Sequence, residues 1–249
     1  MKIKTILFDA FGTLFDTDSI HARVCERIAK DIFEKQGVRL SEISLFKSWI
    51  SEWAMIARTT VEKGFLSTKT VVRTSLKKSL LNKGLAPSNE ELSKWAQLFI
   101  DSFTSETKLN KDARSTLQWL KAHGYTLGMV SDADQQMFHS LIDRFGIRHF
   151  FDFFVVSDEI RAWKFSTKPF DEALKKAGSK PGETLMIGNS LEEDIGVGQK
   201  SGLVTVLFAE RPSLNQKIKP NWIITQISEV VKIVQQMNED INTKGGERA

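Results

Sequence analysis

Residues 3–8, IKTILF, alternate polar and apolar briefly and then become continuously apolar, the pattern of a strand buried on both faces. From about Ser19 to Phe103 the period changes. IHARVCERIAKDIFEKQG, SEISLFKSWISEWAMIART, TKTVVRTSLKKSLLNKG and NEELSKWAQLFIDSF all repeat apolar residues at three- and four-residue steps, which predicts four consecutive amphipathic helices with breaks near Gly37, Gly64 and residues 84–87. Beyond residue 105 helix and strand alternate. DARSTLQWLKAHG, QQMFHSLIDRFG, KPFDEALKKAG, LEEDIGVGQKSG and ISEVVKIVQQMNED read as helices, and YTLGMVS, FDFFVVS, TLMIGN, LVTVLF and WIIT as strands.

That alternation predicts an α/β fold, a Rossmann-like doubly wound parallel sheet with helices on both faces and right-handed crossovers. The first strand must join the same sheet, so the four helices form an insertion, a small all-helical cap over the carboxyl ends of the strands. The expected division is a discontinuous core of residues 1–16 and 104–249 and a cap of residues 17–103, with residues 241–249 as a frayed tail.

A chain of 249 residues, 41% apolar and 27% charged, has the profile of an ordinary globular protein. Its net charge of +4 is spread along the sequence, which suits a small anionic substrate and gives no basic tract for nucleic acid. The single cysteine, Cys25, excludes an internal disulfide framework and a cysteine-based metal site. No run reaches membrane-spanning length and the start has no secretory pattern, so the expectation is a cytoplasmic protein without a membrane partner. Oligomeric state is not legible.

Ligands of an open parallel sheet bind outside the carboxyl ends of its strands. Asp9 stands at the end of the first, Ser131 and Asp132 after TLGMV, Lys164 in the loop after FFVVS, and Asn189, Ser190 and Asp194 after TLMIG. Asp9 can attack an electrophile and form a covalent intermediate, splitting one displacement into two. Ser131 can donate to a developing oxyanion. Lys164 would hold Asp9 ionised and offset charge growing in the transition state. Asp194 can orient Lys164 or bind a metal ion, Gly12 permits a close backbone turn, and Thr13 offers a hydroxyl beside it. Lys168 rivals Lys164, but Ser166 or Thr167 makes an N-cap and Pro169 suits the first turn, so Lys168 already belongs to a helix. On the second cap helix Lys47, Trp49 and Trp53 are candidates for lining the site. His21, His123, His139 and His149 are read as surface or packing residues.

In order and spacing these segments resemble the haloacid dehalogenase (HAD) superfamily of hydrolases. FDAFGTLFD resembles its first motif, MVSD its second, SDEIRAWKFSTKPFDEALKKAG the segment carrying its third and MIGNSLEEDIGVGQKSG its fourth. The resemblance implies Asp9 as nucleophile, Ser131 as the second-motif hydroxyl, Lys164 as the third-motif cation and Asp194 as the fourth-motif acid. It places substrate contacts at Phe11, Gly12, Thr13, Asp132 and Lys47, and a metal at the positions of Asp9, Phe11, Asn189 and Asp194.

Two positions depart from the pattern. The family's phosphatases usually carry a second Asp two residues after the nucleophile, where this chain has Phe11, and begin the fourth motif with Gly-Asp, where it has Gly188-Asn189. Both departures resemble the metal-independent 2-haloacid dehalogenases, since halide needs no proton to leave. Asp132 and the spacing from Asn189-Ser190 to Asp194 are phosphatase-like. The expected function is therefore a Mg²⁺-dependent phosphatase acting on a small phosphorylated metabolite. The alternatives are a 2-haloacid dehalogenase needing no cofactor, and a catalytically weakened binding or regulatory member.

Overall fold

Thr5–Phe8 (β1) is buried along its whole length, and its alternate side chains serve two different cores. Ile6 and Phe8 pack into the larger cluster and Leu7 into a smaller one with Val130, Phe170 and Met186, as a strand sandwiched between two helical layers requires. The computed structural model describes residues 2–17, 19–210 and 217–245.

The other strands are Phe15–Asp16 (β2), Lys108–Leu109 (β3), Thr126–Ser131 (β4), Phe153–Val156 (β5), Thr184–Gly188 (β6), Val204–Phe208 (β7) and Trp222–Ile224 (β8). Among the described residues, five of these and β1 form one parallel sheet in the order β5-β4-β1-β6-β7-β8. β1 lies at the reversal of strand order, flanked by β4 in the register Phe8↔Met129 and by β6 in the register Phe8↔Ile187. The residues that follow β1, β4 and β6 are therefore neighbours at one edge of the sheet.

Between β2 and β3 run Ile20–Gln36 (α1), Glu42–Lys63 (α2), Thr68–Leu81 (α3) and Asn89–Glu106 (α4). Their boundaries follow from local chemistry. Gly37 closes α1 at φ 69°, Ser41 and Ser67 accept the N–H of Ser44 and Thr70, and Ser88 with Glu91 forms a reciprocal capping box at the start of α4. β2 and β3, an antiparallel pair of two residues each, tie the entry of this helical block to its exit. Nothing in the hydrophobic pattern marks a pair that short. α4 also runs to Glu106, past the expected end at Phe103.

The remaining helices are Ala113–Ala122 (α5), Gln135–Arg144 (α6), Ser157–Ile160 (α7), Lys168–Ala177 (α8), Val197–Lys200 (α9) and Glu229–Gly245 (α10). The stretch expected as one helix, LEEDIGVGQKSG, is a π-helical turn at Leu191–Gly196 followed by the short α9. The expected frayed tail is corrected over 241–245, where α10 continues through residues that contain no breaker before Gly245; residues 246–249 lie outside the described residues. Among the described residues no helix is long and apolar enough to cross a membrane.

Candidate active site

Asp9 leaves β1 with its N–H on the Ile187 carbonyl (2.8 Å), so it is still held by the sheet, and the chain turns immediately afterwards. The Gly12 and Phe15 N–H groups close that turn on the carbonyls of Phe15 and Ala10 (both 2.8 Å), with Gly12 at φ 82°. Only glycine fits there on two counts: the angle, and a Cβ that would overlap the side-chain amide of Asn189. The turn brings the Thr13 hydroxyl back to donate to Asp9 Oδ2 at 3.0 Å.

Lys164 approaches from the loop after β5 and α7. Its main-chain N–H is received by both oxygens of Asp132 (3.1 Å each), which fixes the backbone from which the side chain departs. Nζ then donates to Asp9 Oδ1 at 2.5 Å and to Asp194 Oδ1 at 2.6 Å, with all three side chains buried. The second oxygen of Asp194 accepts the Ser190 N–H at 2.9 Å, and Ser190 Oγ accepts the Glu193 N–H at 3.2 Å, which pins the π-helical turn against the end of β6. Gly188 makes the approach possible, because a Cβ there would overlap the Asp194 carboxyl. Ser131, at the end of β4, is 1% exposed and its hydroxyl is buried with no hydrogen-bond partner among the described residues. A hydroxyl in that state has hydrogen-bonding capacity to spare, although Ser131 is not among the residues that line the cavity over this site.

Burial pushes the Asp9 carboxyl up to about 6 against the opposing pull of Lys164, with Asp194 adding to the rise. Asp132 is raised well above the usual carboxylate range by burial, again opposed by Lys164. Glu193, half-buried beside them, is raised to about 7 for the same reason. Burial acts to lower Lys164, but Asp194, Asp9 and Asp132 outweigh it and hold the ammonium well above its ordinary value. The lysine is the fixed charge of the cluster.

A cavity of about 370 Å³ opens over these groups. Asp9, Asp132, Lys164, Asn189, Ser190, Glu193 and Asp194 form its polar side, and Phe11, His21, Ile50, Trp53, Ala54, Trp163 and Phe165 its apolar side. Asp9, Lys164 and Asp194 thus sit together, Ser131 ends the neighbouring strand β4 without lining the cavity, Phe11 and Asp132 line it, and Gly12 and Thr13 support Asp9 from behind. Lys47 is corrected: it is exposed on α2 and is no part of the lining, in keeping with the strong hydration of an unpaired ammonium. Lys168 is likewise exposed, at the first position of α8, with Thr167 as N-cap and Pro169 next in the first turn. Trp49 is buried, its Nε1 donating to Ser75 Oγ at 2.9 Å, whereas Trp53 does reach the cavity.

His21, expected as a surface or packing residue, is a packing residue that also reaches the cavity. Its ring is packed among Phe46, Trp49, Trp53, Phe99 and Phe103 at centroid distances of 4.8–6.3 Å, and it also lines the cavity. Burial lowers its pKa to about 4, so it is neutral near pH 7. Sequence reasoning missed Glu193, Trp163, Phe165 and Ile50. Glu193 and Trp163 each precede a residue already singled out, and Ile50 lies one helical turn before Trp53, so adjacency and helical spacing were the available signals.

The family described as haloacid dehalogenase-like hydrolase matches residues 3–202. Over 239 residues the chain is 29% identical to glyceraldehyde 3-phosphate phosphatase of Methanothermobacter thermautotrophicus, covering 93% of this chain and all of the relative. It is 23% identical to pyrophosphatase PpaX of Bacillus cereus, covering 96% and 99% of the two chains. In fold it resembles L-2-haloacid dehalogenase from Xanthobacter autotrophicus, with a TM-score of 0.74, 19% identity and coverage of 94% and 99%. The HAD phosphatase from Thermococcus onnurineus gives 0.67 and 21%, with coverage of 93% and 98%.

Proposed function

The chain belongs to the haloacid dehalogenase-like hydrolases, and from that premise we propose that it is a phosphatase acting on a small phosphorylated metabolite, with Asp9 as nucleophile and Mg²⁺ as cofactor. In this reading residues 17–103 are the cap and residues 1–16 and 104–249 the hydrolase core. The observation that carries it is the shared ammonium: Lys164 holds the carboxylates of Asp9 and Asp194 together at two adjoining strand ends, at 2.5 and 2.6 Å.

Asp9 attacks phosphorus, forming an aspartyl phosphate as the bond to the leaving oxygen breaks, and that oxygen takes up a proton. Water then attacks the phosphorus of the acyl phosphate, releasing inorganic phosphate and returning the Asp9 carboxylate. Thr13 and Lys164 hold the two carboxyl oxygens in place. The buried Ser131 hydroxyl donates to a non-bridging phosphate oxygen, and Lys164 offsets the charge gathering on Asp9 and phosphate.

Among the described residues no three Asp, Glu, His or Cys side chains converge as a ready-made metal centre, but the charge and oxygen chemistry of the lining suit a hard divalent cation shared with a substrate phosphate. The polar side of the cavity presents four carboxyls, Asp9, Asp132, Glu193 and Asp194, against the single ammonium of Lys164. A phosphate ester entering that excess of negative charge needs a compensating cation, and Mg²⁺ is commonly held by one or two carboxylates together with substrate phosphate. Asp9, Asp194, the Asn189 amide oxygen and the Phe11 main-chain carbonyl, the one oxygen that residue has, would hold it. When bound it supplies Lewis-acid stabilisation of the phosphoryl oxygens. The relatives named for phosphatase activity favour the same reading.

A second reading, metal-independent 2-haloacid dehalogenase, is favoured by Phe11 and Asn189. Against it, the described lining offers a substrate carboxylate no cation beyond Lys164, which already serves two aspartates. Hydrolysis of p-nitrophenyl phosphate with and without Mg²⁺ tests the proposal. Turnover that requires Mg²⁺ and vanishes in Asp9→Asn is expected. Chloride release from 2-chloropropionate in the presence of chelator, without phosphatase activity, would overturn it.

A further inference from the structure

The two sides of the cavity differ sharply in chemistry. Besides the carboxyl cluster, the lining includes Phe11, His21, Ile50, Trp53, Trp163 and Phe165. Trp53 on α2 and Trp163 from the loop before Lys164 meet edge to face, with ring centroids 6.3 Å apart and planes at 82°. Trp163 is 2% exposed and its Nε1 donates to the Leu66 carbonyl at 3.0 Å, so this aromatic corner is fixed before any ligand arrives. His21 abuts Trp53 at 5.9 Å and, neutral near pH 7, adds no charge. The guanidinium of Arg58 lies over the Phe165 ring at 5.2 Å but pairs with Glu192 and is not among the residues lining the cavity.

Position 11 adds an independent constraint. The Phe11 ring packs edge-on against Phe15 at 5.7 Å and Phe103 at 6.0 Å, so the residue nearest in sequence to the nucleophile on the cavity's rim is hydrocarbon and gives no proton. Of the four carboxyls on the lining, Asp9 is the nucleophile, Asp194 is held by Lys164 and Ser190, and Asp132 receives the Lys164 N–H with both oxygens, which leaves Glu193 as the one carboxyl that could protonate a leaving oxygen in place of the acid missing at position 11. An alkoxide leaving without a proton donor forgoes a contribution of about 10²–10⁴ in rate. A phenolate, whose conjugate acid has a pKa of about 10, leaves without that help.

We propose that the substrate is the phosphate monoester of a phenolic hydroxyl, its ring seated in the corner formed by Trp53, Trp163 and Phe165 and its phosphate on Asp9. This rests on the phosphatase reading and names the substrate class for the same site. In the reaction the P–O bond to the aryl oxygen breaks as the Asp9–phosphorus bond forms, the electron pair leaves on the phenolate, and solvent protonates it after departure.

The test compares phenyl, benzyl and ethyl phosphate as substrates of the full chain with Mg²⁺. Benzyl phosphate keeps the ring but leaves as an alkoxide. Phenyl and benzyl phosphate are expected to share a low KM, with kcat for benzyl phosphate at least about a hundredfold lower, the share an acid would have supplied. Ethyl phosphate is expected to lose on both. Trp53→Leu should reduce the phenyl-to-ethyl ratio of kcat/KM about tenfold, the worth of one good aromatic contact. Equal kcat/KM for phenyl and ethyl phosphate would overturn the proposal and leave the phosphatase reading intact. Equal kcat for phenyl and benzyl phosphate would also overturn it, since a side chain, Glu193 first among them, would then be protonating the leaving oxygen. If no ester is hydrolysed the phosphatase reading fails, and binding of benzylphosphonate against ethylphosphonate by calorimetry decides the aromatic site: a preference of about tenfold upholds it, and equal affinity overturns it.

Discussion

Lys164 Nζ lies 2.5 Å from Asp9 Oδ1 and 2.6 Å from Asp194 Oδ1, so one ammonium is shared by two buried carboxyls, one directly after β1 and the other in the π-helical turn that follows β6. Neither acid can be ionised there without it, because an unpaired buried charge costs several kcal/mol. Lys164→Met should remove turnover of any substrate that Asp9 attacks and cost about 3–5 kcal/mol of stability at neutral pH. The sign with pH follows. In the variant the buried acids, already pushed up by burial, titrate higher in the folded than in the unfolded state, so stability falls as pH rises from the ordinary carboxylate range through the folded values. Urea unfolding of the two proteins at pH 5 and pH 8 measures it, and a gap that does not widen with pH would contradict this account.

Gly188 and Asp194 define the closest backbone approach in the site. A methyl group at position 188 overlaps the Asp194 carboxyl, which is held by Lys164 and the Ser190 N–H and has nowhere to retreat. Gly188→Ala should therefore cost about 1–3 kcal/mol, the range for overpacking a core. Its kinetic cost should be larger in proportion, about a hundredfold in kcat, because displacing Asp194 moves Lys164 and a misplacement of about 1 Å is enough. Melting temperature and kcat measured on one preparation separate the two effects.

Much of this arrangement is legible in the sequence because the sheet converts order into position. A buried-strand pattern ending in Asp9, followed by strand ends at Ser131 and Asn189, puts those residues on one edge whatever the details, since parallel strands place all their carboxyl ends together. Lys164 is separable from Lys168 by local rules alone, as Thr167 and Pro169 start α8 and commit Lys168 to its exposed first turn. The apolar wall is another matter. Amphipathic spacing on α2 identifies a buried face but not what that face meets, so Trp49, which goes to the interior, and Trp53, which goes to the cavity, look alike in sequence. Lys47 fails for the same reason. The two-residue pairing of β2 with β3 and the π-helical turn at Leu191–Gly196 are set by tertiary hydrogen bonds, which no periodicity records.

His21 gives a pH dependence of opposite sign. Burial among aromatic rings lowers its pKa from 6.5 to about 4, so between those values the unfolded chain binds a proton that the folded chain refuses. Stability therefore rises with pH across that window and is lost as pH falls through it, by roughly 2 kcal/mol between pH 7.5 and pH 5. His21→Phe keeps the ring contacts without the titration and should flatten the dependence by that amount. Denaturant midpoints at the two pH values check this, and parallel curves for variant and parent would contradict it.

Asn189 sits over Gly12 at the end of β6, where the proposed cation would be held by two carboxylates and a neutral amide. Asn189→Asp replaces the amide by a third carboxylate in the same volume. With a hard cation present the added charge strengthens binding, because affinity for such ions is tuned by the number of charged ligands. With no cation it crowds a site whose carboxyls already outnumber its ammonium. The substitution should therefore lower the melting temperature in chelator, and about tenfold tighter binding should return about 1.4 kcal/mol more on addition of saturating Mg²⁺ than the parent gains. The midpoint of the Mg²⁺ titration of phosphatase activity should fall by the same factor. A variant whose stability ignores Mg²⁺ while the parent's also ignores it would place the cation elsewhere or nowhere, and would return weight to chemistry that Asp9 and Lys164 perform by themselves.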